Sequence, residues 1–134
     1  MTKKVASCMT PGSHGTTFGG NPLAMSVGNA VLDLIFKKGF LKNVQKISKY
    51  FHNELYKLQN DYPELIQEIR GKGLLVGIKI SKNQTEFIKK LLGKGLLTIR
   101  AGENVVRLLP PLTVTKKNID EAVTIIKKVC KTYR

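Results

Sequence analysis

Acidic residues are scarce in this chain: 9 Asp and Glu stand against 23 Lys and Arg, a formal net charge of +14 over 134 residues. Such an excess raises the question of a polyanionic partner. Only four of the basic residues are arginine, however (Arg70, Arg100, Arg107 and Arg134), and the lysines are spread along the chain rather than gathered in a block. Aromatics, at 7%, are not interleaved with them as base stacking requires. A lysine-rich solvated surface is expected, and no nucleic-acid partner. Cysteine is nearly absent too. Cys8 and Cys130 lie far apart, and neither has a second Cys or His at metal-ligand spacing, so reduced thiols are expected and no metal site or disulfide. No apolar run approaches the roughly 18 residues of a membrane span, and the first residues lack the apolar segment of a signal peptide. No membrane partner and a cytoplasmic setting are therefore expected. Hydrophobic residues, at 42%, suffice for the core of an ordinary domain.

One stretch stands out against this background. Pro11-Gly12-Ser13-His14-Gly15-Thr16-Thr17-Phe18-Gly19-Gly20-Asn21-Pro22-Leu23-Ala24 combines four glycines with several hydroxyls and runs out of a loop into a helix. Glycine lets another group approach the backbone closely. Asn21 followed by Pro22 is a strong helix-start signal, which sets Thr16 and Thr17 just before a helix N-terminus, among free amides that favour a phosphate or carboxylate. No Gly-Lys-Ser/Thr and no Gly-x-Gly-x-x-Gly follows, so neither common nucleotide fingerprint applies. A plain surface loop of the same composition remains the alternative on the residues alone.

Periodicity supplies the rest. Leu23, Val27, Ala30, Val31, Leu34 and Ile35 recur at helical spacing from Pro22 to about Lys38, with Gly39 as the expected stop. Val44, Ile47, Phe51, Leu55 and Leu58 mark a second amphipathic helix from about Leu41 to Pro63. Residues 65–70 could extend. Leu74–Ile80, Leu96–Arg100 and Val105–Leu109 read as strands, the last two as a hairpin, and 83–92 as a short helix. Thr115 caps a final helix with Ile119, Val123, Ile126 and Val129 on one face. The expected fold class is α+β, an antiparallel sheet of about three strands covered by helices, with a boundary near Gly39.

The stretch from His14 to Ala24 closely resembles a segment of the class III pyridoxal-phosphate aminotransferases. Arg70-Gly71-Lys72-Gly73-Leu74-Leu75-Val76-Gly77-Ile78, Ala101 to Leu112 with its Arg-Leu-Leu-Pro-Pro-Leu, and the Asn-Ile-Asp-Glu-Ala of 118–122 resemble further family segments in the right order. The resemblance is strongest to members that exchange an amino group between N-acetylornithine and 2-oxoglutarate in arginine biosynthesis. It implies the C-terminal part of a fold-type I enzyme: residues 1–39 as the end of the large cofactor-binding domain and 40–134 as the small α+β domain. It also implies pyridoxal 5'-phosphate as cofactor and a homodimer in which Thr17 contacts the cofactor phosphate across the subunit interface. Thr16 would lie beside the substrate and Arg107 would hold the substrate α-carboxylate. No catalytic lysine is assigned. Lys72-Gly73-Leu74 and Lys94-Gly95-Leu96 resemble the family's Schiff-base Lys-Gly-Leu only superficially, since the family lysine precedes the Thr-Thr motif. The chain alone is therefore expected to be inactive, and a stand-alone binding module that keeps the fold is the alternative. His14 reads as a loop residue, and Arg70 and Arg100 as structural ones.

Overall fold

The computed structural model describes residues 1–133 and divides into two compact units, Met1–Lys38 and Gly39–Arg134. The first contains a short helix, α1 (Lys3–Ala6), and a longer one, α2 (Pro22–Ile35). The sequence predicts no regular structure before residue 20. The single turn of α1 forms because the Thr2 side chain accepts from the Val5 amide at 3.4 Å. Helix α2 begins where Asn21 Oδ1 accepts from the Ala24 N–H at 2.9 Å, with Pro22 in the first turn. It stops at Ile35, the last residue of its apolar period and short of the expected end near Lys38, and none of its residues is buried. Gly39 plays a different part from the expected stop. At φ 89 it is the N-cap of the next helix, using a left-handed backbone to redirect the chain.

The second unit runs α3 (Phe40–Asp61), β1 (Ile66–Lys72), β2 (Leu75–Ile80), α4 (Gln84–Leu92), β3 (Ile99–Ala101), β4 (Val105–Leu108) and α5 (Lys116–Cys130), then a 3-10 turn at Lys131–Tyr133. The strands form one antiparallel sheet in the order β1-β2-β4-β3. This is one strand more than the sequence predicts. The added strand is β1, whose Arg70-Gly71-Lys72-Gly73 end carries loop punctuation. Gly71 nevertheless lies inside the pairing at φ 131, where a Cβ would strike the Leu75 carbonyl, so only glycine lets the strand continue. Gly73 and Leu74 then form a two-residue hairpin loop with positive φ at the first position, the pattern of a type II′ turn.

Strand β3 is also shorter than predicted. Gly95, at φ 83, closes α4: its N–H donates to Leu92 O at 2.9 Å and the Leu96 N–H donates to Leu91 O at 3.0 Å. This six-residue wrap is a Schellman motif, and it withholds Leu96 from the sheet. The two Lys-Gly-Leu segments thus have separate backbone duties, one in a hairpin loop and one in a helix C-cap.

Ile69, Ile78 and Val106 form a cross-strand row facing α3, α4 and α5, and with Phe51, Leu55, Leu58, Phe87, Leu91, Ile126 and Val129 they make one continuous core. Thr115 and Asn118 form a reciprocal capping box at the start of α5. Helices α3 and α5 are tied at their surface by Lys127 and Asp61 at 2.7 Å and by the Tyr50 hydroxyl, which donates to Asp120. That bond to a carboxylate pushes the Tyr50 hydroxyl up to about 12. No described helix is long and apolar enough to cross a membrane.

A polar knot fixes the β3–β4 hairpin. Asn104 adopts φ 62, and its amide nitrogen donates to Ile80 O at 2.6 Å and Lys82 O at 2.7 Å, while its Oδ1 accepts from the Gln84 N–H at 3.2 Å. Asn104→Ala removes all three bonds and a side chain that tolerates the left-handed region. A loss of about 2–4 kcal/mol in urea denaturation is expected. Asn104→Gly keeps the backbone conformation and should lose measurably less. A loss below about 0.5 kcal/mol for Asn104→Ala, within the range of ordinary surface substitutions, would show that the hairpin is anchored elsewhere.

Burial pushes the Cys130 thiol up to about 12, whereas Cys8 is exposed. Iodoacetamide at pH 8 should label Cys8 and spare Cys130 until the chain is unfolded, as peptide mass spectrometry would read. Because the folded pKa is raised, the contribution of the neutral Cys130 thiol is present below the ordinary thiol range and is lost as pH climbs towards 12. Equal labelling of both cysteines in the native chain would contradict this burial.

Candidate functional site

In the first unit the candidate residues sit on the loop before α2. Thr16 and Thr17 are exposed, and their hydroxyls make no hydrogen bond among the described residues. The backbone hydrogen bonds flanking them are Ser13 N–H to Thr10 O at 3.0 Å and Asn21 N–H to Phe18 O at 3.3 Å; the amides from His14 to Gly20 donate to no described group. The Asn21 side chain ties both ends of this turn, donating to Phe18 O at 2.6 Å and accepting from Ala24 N. Gly19 lies close under Thr16: a Cβ there would meet the Thr16 methyl, so a larger residue would make the Thr16 side chain turn aside. The result is a run of unspent N–H donors and two threonine hydroxyls one turn before a capped helix N-terminus. Such an arrangement suits a phosphate, whose oxygens accept from several donors at once. His14 is exposed on the same loop.

Arg107 lies in the second unit, on β4. Cross-strand pairing aligns Arg70, Gly77, Arg107 and Ile99 in one row across all four strands, on the face opposite the core row. Paired residues project to the same side of a sheet, so the two arginines flank a residue with no side chain. The space between them is a shallow cavity of about 350 Å³ bordered by Arg70, Gly77, Ala101, Val105 and Arg107. A Cβ on Gly77 would come within 2.7 Å of Val105 Cγ1 and 3.5 Å of Arg70 Cγ, so glycine makes room for both. Arg107 Nε is shielded from solvent yet has no hydrogen-bond partner among the described residues. A shielded, unspent guanidinium donor is costly, and a carboxylate is the group whose paired oxygens match it.

Arg70 and Arg100, read from the sequence as structural, do have partners. Arg70 Nη1 meets Glu103 Oε2 at 3.1 Å, and Arg100 Nε donates to Gln84 Oε1 at 3.2 Å. Sequence reasoning did not bring Arg70 and Gly77 beside Arg107. The row exists only through register, which the single chain does not reveal. Lys72, at the end of β1, and Lys94, in the turn after α4, are both exposed. The described residues contain no cluster of His, Cys, Asp and Glu able to hold a metal. A larger groove of about 500 Å³ beside Phe51, Leu97, Leu109 and Pro110 carries no titratable side chain.

The family model for class-III aminotransferases matches residues 1–130. An acetylornithine aminotransferase of Mesorhizobium japonicum is 47% identical over 126 residues, 94% of this chain and 32% of that protein. Another, from Bacillus cereus, is 48% identical over 129 residues, covering 95% of this chain and 33% of its own length. The chain thus spans about a third of the curated relatives it matches. Among solved structures, the acetylornithine aminotransferase of Elizabethkingia anophelis superposes with a TM-score of 0.80 at 34% identity, over 96% of this chain and 34% of that one. The ornithine delta-aminotransferase of Plasmodium falciparum gives 0.83 at 34% identity, over 98% and 35%. With a family match that takes in both the Thr16–Thr17 loop and the strand bearing Arg107, this chain belongs to the class-III aminotransferases.

Proposed function

We propose that this chain is the C-terminal part of an aminotransferase that moves an amino group between N-acetylornithine and 2-oxoglutarate, in a cytoplasmic homodimer serving arginine biosynthesis. The observation that carries this reading is the 41–49% identity to curated relatives that share the name acetylornithine aminotransferase. The fold alone does not choose the substrate, because structures of ornithine and lysine aminotransferases superpose with TM-scores of 0.83 and 0.84. Residues 1–39 would close the large cofactor domain and 40–134 would form the small domain.

The loop before α2 fits the cofactor phosphate through its unspent amides and hydroxyls. Pyridoxal phosphate, when bound, supplies the electron-withdrawing ring that stabilises negative charge at the substrate Cα. Thr17 donates its hydroxyl and amide to the phosphate, and so anchors the end of the cofactor away from the chemistry. Thr16 borders the substrate. Arg107 holds the α-carboxylate through two parallel hydrogen bonds and thereby fixes the orientation of the Cα–H bond. No lysine of this chain is given the proton-transfer role, which is assigned to the remainder of a family-length protein.

The 134-residue chain incubated with pyridoxal phosphate and borohydride should acquire no stoichiometric label on a single lysine, and it should not transaminate N-acetylornithine. A specific, stoichiometric label would overturn the exclusion of Lys72 and Lys94.

In the intact enzyme substitutions at Thr17 and at Arg107 should have separable effects. Thr17→Ala should weaken cofactor retention by about 1.5–3 kcal/mol, the range for a hydrogen bond to a charged group, with a smaller fall in rate at saturating cofactor. Arg107→Lys keeps the charge and loses the two-pronged grip, so substrate binding should fall while cofactor retention stays near normal. Collapse of cofactor retention in Arg107→Lys with substrate binding intact would refute the assignment of Arg107.

A further inference from the structure

The cavity beside Arg107 takes its shape from a residue that lies outside it. Val105 and Ala101 border that cavity, and Val105 joins three strands, paired with Lys79 on β2 and with Ala101 on β3. Arg107 follows two residues later on β4, about 7 Å along the strand and on the same face. Strand β3 meets β4 at three pairs, and the turn between them carries two non-glycine residues at positive φ, Glu103 at 59 and Asn104 at 62. A short hairpin closed by such a turn does not hold its own geometry.

The support comes from α4. Gln84, 6% exposed, spends both N–H groups of its side-chain amide on this hairpin, one on Ala101 O at 2.9 Å and one on Val105 O. Its oxygen accepts from Arg100 Nε at 3.2 Å, which fixes which way round the amide sits. The Val105 side chain in turn lies over Gly77, in the space a Cβ would need, so a shift of Val105 remodels the wall beside Arg107.

We propose that Gln84 is a positioning residue for Arg107: by holding the Ala101 and Val105 carbonyls it sets the twist of β4, and with it the angle at which the Arg107 guanidinium meets a carboxylate. Arg100 assists by keeping the amide from turning over. This rests on the reading of Arg107 as the group that holds the substrate α-carboxylate and deepens it. A two-pronged grip depends on angle, so a misdirected guanidinium loses binding although its charge is intact.

The test is a double-mutant cycle in the intact enzyme, joined to NMR on the 134-residue chain. Gln84→Met keeps the length of the side chain and removes its donors. It should raise KM for the amino-acid substrate about tenfold, with a smaller fall in kcat and unchanged cofactor retention. In an Arg107→Lys background the same change should raise KM by about twofold at most, because the grip it misdirects is already lost. In the chain, the Arg107 Nε–H resonance should shift and broaden while the circular dichroism spectrum stays native. Arg100→Met, which leaves Gln84 in place, should act in the same direction by about two- to fivefold, and it decides the matter if Gln84→Met does not fold. If these changes leave KM alone, or raise it by the same factor in both backgrounds, Gln84 serves the fold only: the proposal falls and the reading of Arg107 stands. If Arg107→Lys by itself leaves substrate KM unchanged, that reading falls and takes the proposal with it.

Discussion

The buried side chain of Gln84 is the contact on which the geometry of the sheet turns. Its amide nitrogen donates to Ala101 O at 2.9 Å and to Val105 O, and its oxygen accepts from Arg100 Nε at 3.2 Å. Those two carbonyls lie on either side of the β3–β4 turn, so one side chain on α4 clamps both arms of the hairpin. Its own backbone N–H is taken by Asn104 Oδ1, which closes the knot. A buried amide left unpaired would cost more than each bond returns, so the network specifies one arrangement rather than merely adding stability. Register is what this arrangement protects. A slip of one residue in β4 would turn Arg107 into the core and Val106 out to the open face.

The two faces of the sheet then divide the work. The row of Ile69, Ile78 and Val106 is buried under three helices. The opposite row is built of two arginines, a glycine and a half-exposed isoleucine. Charged groups are affordable there because they remain partly solvated, while the sheet behind them supplies rigidity. The surplus of basic charge along the chain is mostly lysine on helix surfaces, but the arginines concentrate on this sheet. Arginine is the residue suited to planar, two-pronged recognition of carboxylates, which makes its placement more informative than the net charge.

Much of the fold was legible because its signals are local. The caps Asn21 and Thr115 and the apolar stripes of α3 and α5 stand where residue type and spacing put them. The misses have local causes as well. Gly39 marks a boundary under either reading, and only its positive φ and the chain beyond it show that it begins α3 rather than ends α2. The glycines of β1 imitate a loop, and the wrap at Gly95 conceals the true start of β3. Thr16, Thr17 and Arg107 could be singled out by motif, whereas the grouping of Arg70 and Gly77 with Arg107 depends on strand pairing, a long-range property that no window of sequence contains.

The candidate residues are held by very different means. Arg107 is fixed by strands on both sides and by a continuous core drawn wholly from the second unit. Thr16 and Thr17 have no such support: α2 is 14 residues long and buries none of them, and an isolated helix of that length is marginal in water. What shapes their loop is local, namely the Asn21 cap and the close approach of Gly19 to Thr16. Arg107 is therefore held in place by packing, while the loop of Thr16 and Thr17 keeps its donors unspent and is shaped by capping.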